Sequence, residues 1–227
     1  MNPENSAELV LLLGELEQAS SSESLVSATR NLAQLCPSLV PHSSDQKATI
    51  NALMGLLAAN NPGAAVAAVE GLIACGKAAV EPLLHNLDEH NYGARAWAVR
   101  ALASIGDPRG LPVLERAVAS DIGPSVRRAA ARGLGNLSLA STSASERELL
   151  VERCLSGLAM GCADGEWVVR YAAVVGLDHF LRQAAEPWRS QGQNLLVQRS
   201  QTDTEDTPAV RLRAQVALEQ FDPASSG

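Results

Sequence analysis

In several segments of the chain, apolar residues recur four and then three positions apart, which is the spacing of one face of an α-helix. Four of these segments share a phrase in which an arginine stands seven residues before a leucine. Two weaker copies lack the arginine. The pattern predicts an amphipathic helix around each anchoring leucine, and the six anchors are Leu32, Leu72, Leu102, Leu134, Leu177 and Leu218.

The spacing of the anchors indicates the size of the repeating unit. Successive anchors lie 40, 30, 32, 43 and 41 residues apart, which is the length of a two-helix repeat. A second helical pattern precedes each of the last four anchors, at residues 80–87, 111–118, 149–159 and 195–199. Because one helix pair cannot bury its apolar face alone, neighbouring pairs must stack. The sequence therefore predicts an all-α fold, a HEAT or armadillo-like α-solenoid, with an antiparallel helix bundle as the alternative.

The repeats also define the predicted organisation of the chain. We expect a single solenoid domain over residues 1–227, because a repeat array of this length needs no internal boundary. Residues 1–58 are predicted to form N-terminal helices and a divergent repeat, with an amphipathic helix over residues 8–17. Residues 59–221 are predicted to form HEAT-like repeats, and residues 222–227 a frayed tail.

Composition and charge exclude several classes of protein. Only 3% of the residues are aromatic, and no run alternates for long enough to predict a strand. The net charge of −7 argues against nucleic acid as a partner, because phosphate binding requires a cationic surface. The first residues lack the basic and apolar regions of a signal peptide, and the longest apolar stretches are interrupted. We therefore expect a cytoplasmic protein without a membrane span.

Residue types that carry chemistry in other proteins are present, but their spacing matches no known site. The four cysteines form no CxxC pair, and the four histidines are scattered without metal-ligand spacing. The chain has no HExxH motif, no glycine loop for phosphate and no GxSxG elbow. We predict no metal site and no tightly bound cofactor. Cys75, on the apolar face of its repeat, is predicted to pack as a small hydrophobic residue.

The repeated arginines have a structural interpretation. In stacked helical repeats, an arginine at the start of the second helix pairs with an acid in the preceding loop or in the neighbouring unit. An acid stands thirteen residues before each of the last four anchors. We assign Arg127 and Arg211 to such a ladder, and the four acids are Glu89, Asp121, Asp164 and Glu205.

The position ten residues before the anchor differs between the repeats. Three copies have proline there, which suits the first turn of a helix, whereas two others have Tyr92 and Trp167. Helix initiation does not require an aromatic residue, so these side chains serve another purpose. They either fill gaps between repeats or form a patch that stacks on a flat, conjugated anion. The predicted patch consists of Tyr92, Trp97, Trp167 and Tyr171, with Arg95 and Arg170 nearby.

Three blocks of the sequence are similar to a known family. They are HNYGARAWAVRALASIGDPRGLPVLERA, SDIGPSVRRAAARGLG and DGEWVVRYAAVVGL, at residues 90–117, 120–135 and 164–177. These blocks resemble the HEAT-repeat phycobilin lyases of the E/F type, specifically the smaller F-type subunit, and the similarity spans residues 60–220. The NYGARAW stretch and the last block are more specific than the arginine–leucine pattern, which many HEAT proteins share.

The resemblance implies a cyanobacterial heterodimer, formed with an E-type lyase subunit, that attaches an open-chain bilin to a cysteine of an apo-phycobiliprotein through a thioether. Phycocyanobilin and the phycocyanin α-subunit are the favoured substrates. A phycoerythrobilin lyase subunit and a non-catalytic adaptor for phycobilisome assembly or degradation are the alternatives. In isomerising members of the family a His-Cys pair precedes the AW of this block, where this chain has Asn91 and Tyr92. The resemblance therefore implies attachment without isomerisation.

This class of ligand gives the candidate residues expected roles. A bilin carries two propionates, a run of pyrrole nitrogens that can be protonated and an ethylidene group that accepts a thiol. We expect Arg95 or Arg170 near a propionate, where an arginine and a carboxylate pair well. We expect Glu166 or Asp164 near the pyrrole nitrogens. The aromatic patch defined above is expected to supply the stacking surface.

Overall fold

The computed structural model of the chain describes residues 3–85, 87, 91–139 and 142–221, so the predicted frayed tail, residues 222–227, lies outside the described residues. The described residues form twelve α-helices and no β-strand, which confirms the predicted all-α class. The helices are α1 (Pro3–Gln18), α2 (Ser22–Leu35), α3 (Ser44–Leu56), α4 (Pro62–Cys75), α5 (Val80–His85), α6 (Tyr92–Ile105), α7 (Leu111–Ser120), α8 (Pro124–Leu134), α9 (Ala144–Cys162), α10 (Trp167–Leu181), α11 (Trp188–Ser200) and α12 (Pro208–Glu219).

The residue ten positions before an anchor is the first residue of a helix. This holds for Pro62, Pro124 and Pro208, which begin α4, α8 and α12. Proline fits because its fixed φ suits a first turn and its missing N–H would have no partner there. Tyr92 and Trp167 begin α6 and α10 in the same way. The two aromatic residues therefore stand at the N-terminal ends of their helices, directly after the turn that precedes each helix.

Several helices are longer than the sequence pattern predicted, among them α1, which spans Pro3–Gln18 where residues 8–17 were predicted. α9 begins at Ala144 rather than near residue 149, because Ser143 and Glu146 form a capping box there. α11 begins at Trp188, whereas the pattern predicted only residues 195–199. The first half of α11 reads WRSQGQN and is mostly polar. A search for apolar spacing does not detect such a segment.

The chain separates into two compact units, residues 1–105 and residues 106–227. In the first unit, α2 packs against α1 and α4, and α4 also packs against α3 and α6. Leu32 and Leu72, the anchors of the two weaker copies, are both 0% exposed, so both copies form repeat helices. Because α3 packs against α4, the helix pairing continues across the predicted change at residues 58 and 59.

One stretch of the first unit, Pro62–His85, is long and apolar enough to cross a membrane by length and composition alone. It is not one straight helix in the structure. α4 ends at Cys75, and Gly76 then adopts a φ of 59°, which glycine reaches without steric cost. α4 packs against α2, α3 and α6. This stretch therefore contributes the central core of the first unit.

In the second unit, α8, α10 and α12 lie side by side, and each packs against the helix that precedes it in the chain. The anchors Leu134 and Leu177 are 1% and 0% exposed. α8 and α10 approach closely because glycine occupies the contact. A Cβ atom on Gly176 would lie 2.7 Å from the carbonyl oxygen of Ala131, and one on Gly135 would collide with the Gly176 backbone. These glycines allow the row of second helices to pack tightly.

Candidate functional site

Arg127 and Asp164 connect two neighbouring repeats of the second unit. Nε and Nη2 of Arg127 donate to the two carboxylate oxygens of Asp164 at 2.7 and 3.0 Å. Nη1 of Arg127 donates to the backbone oxygen of Asp121, in the loop before its own helix, at 2.9 Å. Burial raises the pKa of Asp164, but hydrogen bonds from Arg127 and the Glu166 N–H outweigh burial and hold the pKa below its usual value. The pair is therefore ionised and part of the scaffold.

Arg170 forms the same contacts one repeat further along the chain. Its Nε and Nη2 both donate to the Glu205 carboxylate at 2.8 Å, and Nη2 also contacts Asp206 at 2.9 Å. Its Nη1 donates to two backbone oxygens of the preceding loop. The Glu205 side chain is 0% exposed. Burial alone would raise the pKa of Glu205, yet hydrogen bonds from Arg170 and the Thr207 N–H lower it to about 2.

These contacts define the ladder, and they add Arg170 to its predicted members. Arg127 has its predicted ladder role, and Nη1 of Arg211 donates to the backbone oxygen of Glu205 at 2.7 Å. Arg170 was one of two arginines expected near a propionate, and its contacts differ from that expectation. Asp164 was predicted both as a ladder acid and as one of two acids near the pyrrole nitrogens, and its contact with Arg127 is the ladder contact. Every N–H of the Arg170 guanidinium points to its own loop or to the next repeat, so none remains for a propionate. Both residues are ladder members.

Helix α10 exposes two aromatic side chains on one face. Trp167 is 47% exposed, and Tyr171, one turn later, is 37% exposed. Residues four apart are neighbours on a helix surface, so the two rings form one aromatic surface. Glu166, immediately before the helix, is exposed as well. Its backbone N–H donates to Asp164 at 2.8 Å.

In the first unit, α6 carries Tyr92, Arg95 and Trp97. The guanidinium carbon of Arg95 lies 5.7 Å from the Tyr92 ring centroid, and that of Arg100 lies 5.5 Å from the Trp97 ring centroid. Both distances allow cation–π attraction. Asn91 caps the helix, because its side-chain oxygen accepts a hydrogen bond from a first-turn N–H at 3.0 Å. The nearest ladder acid predicted for this repeat, Glu89, lies outside the described residues.

The predicted aromatic patch thus divides between the two units, with two rings on α6 and two on α10. The chain contains only two tyrosines and three tryptophans, and four of these five belong to the patch. None of the four is buried. Rings that filled gaps between repeats would be buried, so their exposure favours the ligand-binding interpretation.

Four exposed residues on the row of α8, α10 and α12 were not among the predicted site residues. They occupy the positions six and two residues before the anchor, and Tyr171 occupies the first of these positions on α10. Aligning the repeats on their anchors places the four residues at the same two positions of α8 and α12, where all four are exposed. We call the exposed face of this row the ridge surface, and it consists of Arg128, Arg132, Trp167, Tyr171, Leu212 and Val216.

All four cysteines of the chain are buried, and none is part of a disulfide. Burial raises the pKa of Cys154 and that of Cys162 to about 12. The thiolate is the nucleophilic form of cysteine, so these buried thiols are unreactive at neutral pH. Cys75 is 7% exposed and lies in the core of the first unit, which confirms that it packs as a small hydrophobic residue.

Comparison with known proteins places the chain among HEAT-repeat proteins of bilin metabolism. A family described as HEAT repeats matches residues 50–135. "Bilin biosynthesis protein RpcF" of Synechococcus sp. is 42% identical over 220 residues, which cover 96% of this chain and 98% of that protein. "Phycocyanin alpha phycocyanobilin lyase CpcF" of Synechocystis sp. is 47% identical over 178 residues, which cover 78% of each chain.

Solved structures agree with these sequence matches. A chain from the complex of CpcE and CpcF of phycocyanin lyase from Nostoc sp. matches with a TM-score of 0.68 and 38% identity, covering 76% of this chain and 99% of that chain. A designed armadillo repeat protein matches with a TM-score of 0.54 and 19% identity, covering 95% and 100%, and it supports the fold alone. The predicted HEAT or armadillo-like α-solenoid is confirmed.

Proposed function

This chain belongs to the F-type subunits of the heterodimeric HEAT-repeat bilin lyases, and we propose that its substrates are phycocyanobilin and the phycocyanin α-subunit. The observation that carries this choice is the 47% identity to a protein whose name states that activity. Exposed aromatic rings on α6 and α10 support a conjugated ligand.

Attachment is an addition reaction whose nucleophile is a thiol. The thiol adds across the double bond that joins the ethylidene group to its ring. The acceptor sulfur bonds to the exocyclic carbon of that double bond, and the thiol proton is transferred to the ring carbon, so the double bond becomes a single bond. No group leaves, and no oxidant or reductant takes part. The buried cysteines of this chain support the assignment of the nucleophile to the acceptor protein.

The lyase contributes mainly by holding the bilin extended and oriented toward the acceptor thiol. Fixing the two reactants lowers the entropic part of the barrier and suppresses attachment in the wrong orientation. Trp167 and Tyr171, exposed on α10, supply a stacking surface for the bilin. Glu166 is exposed next to the rings of α10 and pairs with protonated pyrrole nitrogens.

We further propose that the reaction proceeds without isomerisation of the bilin. Isomerisation requires groups that remove a proton from one carbon and deliver a proton to another. Asn91 and Tyr92 occupy the two places where isomerising members of the family have His and Cys. The Asn91 side chain is a helix cap, and an amide does not titrate. This arrangement supports simple thiol addition.

An E-type subunit is the partner of this chain in the heterodimer, as in the complex of CpcE and CpcF. We propose that the pair works in the cytoplasm, where apo-phycobiliproteins receive their chromophores. A relative from Synechococcus elongatus is named "Phycobilisome maturation protein" and is 42% identical over 207 residues. That name agrees with a role in phycobilisome assembly.

Reconstitution with one component omitted at a time tests this function. The complete mixture contains this chain, an E-type subunit, phycocyanobilin and the apo α-subunit of phycocyanin. We expect covalent chromophore on the α-subunit in a denaturing gel only from the complete mixture. An acceptor with its chromophore-binding cysteine changed to alanine should remain colourless, and the apo β-subunit is the matched control for acceptor choice.

Two results would contradict the proposal. Binding of the apoprotein without any covalent chromophore would show that the chain is a non-catalytic adaptor. Attachment to the β-subunit, or attachment of phycoerythrobilin in preference to phycocyanobilin, would show that the substrates are assigned incorrectly.

A further inference from the structure

We propose that the ridge surface binds the bilin directly, with Arg128 and Arg132 pairing with its two propionates while Trp167 and Tyr171 stack on its conjugated rings. The inference rests on the proposed function and identifies the side chains that carry it in the second unit. Arg128 and Arg132 take the role first expected of Arg170, whose donors are fully engaged.

The spacing of the two arginines suits a pair of carboxylates. Arg128 and Arg132 are four residues apart on α8, so they project from the same face with their Cβ atoms about 6 Å apart. A bilin carries its propionates side by side on neighbouring central rings. Each arginine can therefore reach one propionate of the same molecule, and a planar guanidinium binds a carboxylate through two parallel hydrogen bonds.

The arginines and the aromatic rings lie within reach of one ligand. α8 packs directly against α10, and packed helices are about 8–10 Å apart. The glycine contact between Gly135 and Gly176 keeps these two helices close. Nδ1 of His179 on α10 lies 2.9 Å from Oδ1 of Asn136, two residues after the end of α8.

The charge pattern of the ridge surface favours an anion. The chain carries a net charge of −7, yet no acidic residue occupies the positions ten, six and two residues before the anchors of α8, α10 and α12. Arg128 and Arg132 form no hydrogen bond or ion pair within the part of the chain that the structure describes. Like charges four residues apart repel on a helix, so a ligand with two carboxylates relieves this repulsion.

Arg128 also contrasts with its neighbour in the ladder. The Arg127 side chain is 17% exposed and forms a bidentate pair with Asp164. Arg128, the next residue, is exposed and points to the ridge surface. A scaffold role accounts for Arg127 and leaves Arg128 and Arg132 without a structural purpose.

Leu212 and Val216 extend the ridge surface along the length of a linear tetrapyrrole. They are 63% and 42% exposed on α12, which packs against α10. The cationic pair on α8 and the aliphatic pair on α12 stand six and two residues before their anchors, and the aromatic pair on α10 stands ten and six residues before its anchor. This order fits a ligand with carboxylates along one edge and apolar rings along its length.

Titration of the co-purified lyase pair with free phycocyanobilin tests the proposal. The variant is the double substitution Arg128→Met and Arg132→Met, and the matched control is Arg116→Met, an exposed arginine on α7. We expect the double variant to bind the bilin about tenfold more weakly, from two partly exposed ion pairs, with an unchanged melting temperature. The control should bind as the wild type does.

The dimethyl ester of phycocyanobilin isolates the contribution of the propionates. The wild type should bind the ester more weakly than the acid. The double variant should bind acid and ester equally, because esterification and the arginine substitutions both remove the same arginine–propionate pairs. A double variant that prefers the acid as strongly as the wild type does would overturn the proposal.

A second variant tests whether the ridge surface binds the bilin or another protein. If Leu212→Ser with Val216→Ser abolishes co-purification with the E-type subunit while the arginine variant binds bilin normally, the ridge surface is a protein interface and the proposal is wrong. A wild-type pair that neither binds nor attaches phycocyanobilin would overturn the proposed function as well. The two failures are therefore distinguishable.

Discussion

Glu205 shows how strongly the ladder depends on ionisation of a single carboxylate. Its side chain is fully buried, with Arg170 and Arg199 at 2.8 and 3.5 Å. Its pKa falls from the ordinary value of 4.5 to about 2 in the folded chain, so folding favours the ionised form. The stabilisation, about 3 kcal/mol, is complete above pH 4.5 and is lost as the pH falls toward 2.

Glu205→Gln should lower the free energy of unfolding by about 3 kcal/mol at neutral pH, because two partly buried arginines, Arg170 and Arg199, lose a negative partner. The difference between wild type and variant should shrink as the pH falls from about 5 to about 2, where the wild-type carboxylate is also neutral. Urea unfolding at several pH values measures this difference.

Glu219→Gln is the matched control for this pH dependence, because Glu219 is exposed on the last helix of the same unit. It should change the unfolding free energy by less than about 0.5 kcal/mol at every pH. A Glu205→Gln effect that stays constant across the acid range would show that ionisation of Glu205 does not stabilise the fold.

The buried cysteines give a second prediction at the residue scale. All four should remain unmodified when the native protein is treated briefly with a thiol reagent at neutral pH, because burial excludes the reagent. The same reagent should modify all four after unfolding in guanidinium. Rapid modification of one native thiol would identify a nucleophile in the lyase and would weaken the assignment of the nucleophile to the acceptor.

At the scale of the element, the contact between α8 and α10 depends on glycine. Gly135→Ala should destabilise the protein by at least about 2 kcal/mol, because the new methyl group collides with the Gly176 backbone, which cannot rotate away. Thermal unfolding of the purified protein measures the effect.

Gly55→Ala is the control for this prediction. A Cβ atom on Gly55, near the end of α3, meets nothing within 4 Å, so the variant should be more stable by about 0.5–1 kcal/mol through helix propensity. Equal effects of the two substitutions would show that the close approach of α8 and α10 does not limit the packing.

Sequence analysis located the second helices because each combines an anchor with a turn signal. It shortened α11, since the polar segment WRSQGQN carries no apolar period. The site was harder to predict. Arg127 and Arg170 share one repeat position, and the sequence left open whether the preceding loop or the neighbouring unit supplies the acid to each of them; in the structure the next repeat supplies it. Sequence analysis also missed Arg128 and Arg132, because a cation on a helix face usually serves only solvation.

At the scale of the whole molecule, the chain functions as one half of a heterodimer. We expect this chain and its E-type subunit to co-purify as a 1:1 complex, because family membership implies a partner and terminal repeats expose stacking faces. Size-exclusion chromatography with light scattering measures the mass. Full attachment activity from this chain alone, as a monomer, would contradict the requirement for a partner.

The absorbance of the chromophorylated acceptor in acidic urea tests the proposed reaction most directly. Denaturation removes the influence of the protein, so the spectrum reports the length of the conjugated system alone. We expect the spectrum of phycocyanobilin after simple thiol addition, because Asn91 and Tyr92 replace the isomerising pair. A blue-shifted spectrum with shorter conjugation, made by this chain and its E-type subunit, would contradict non-isomerising attachment.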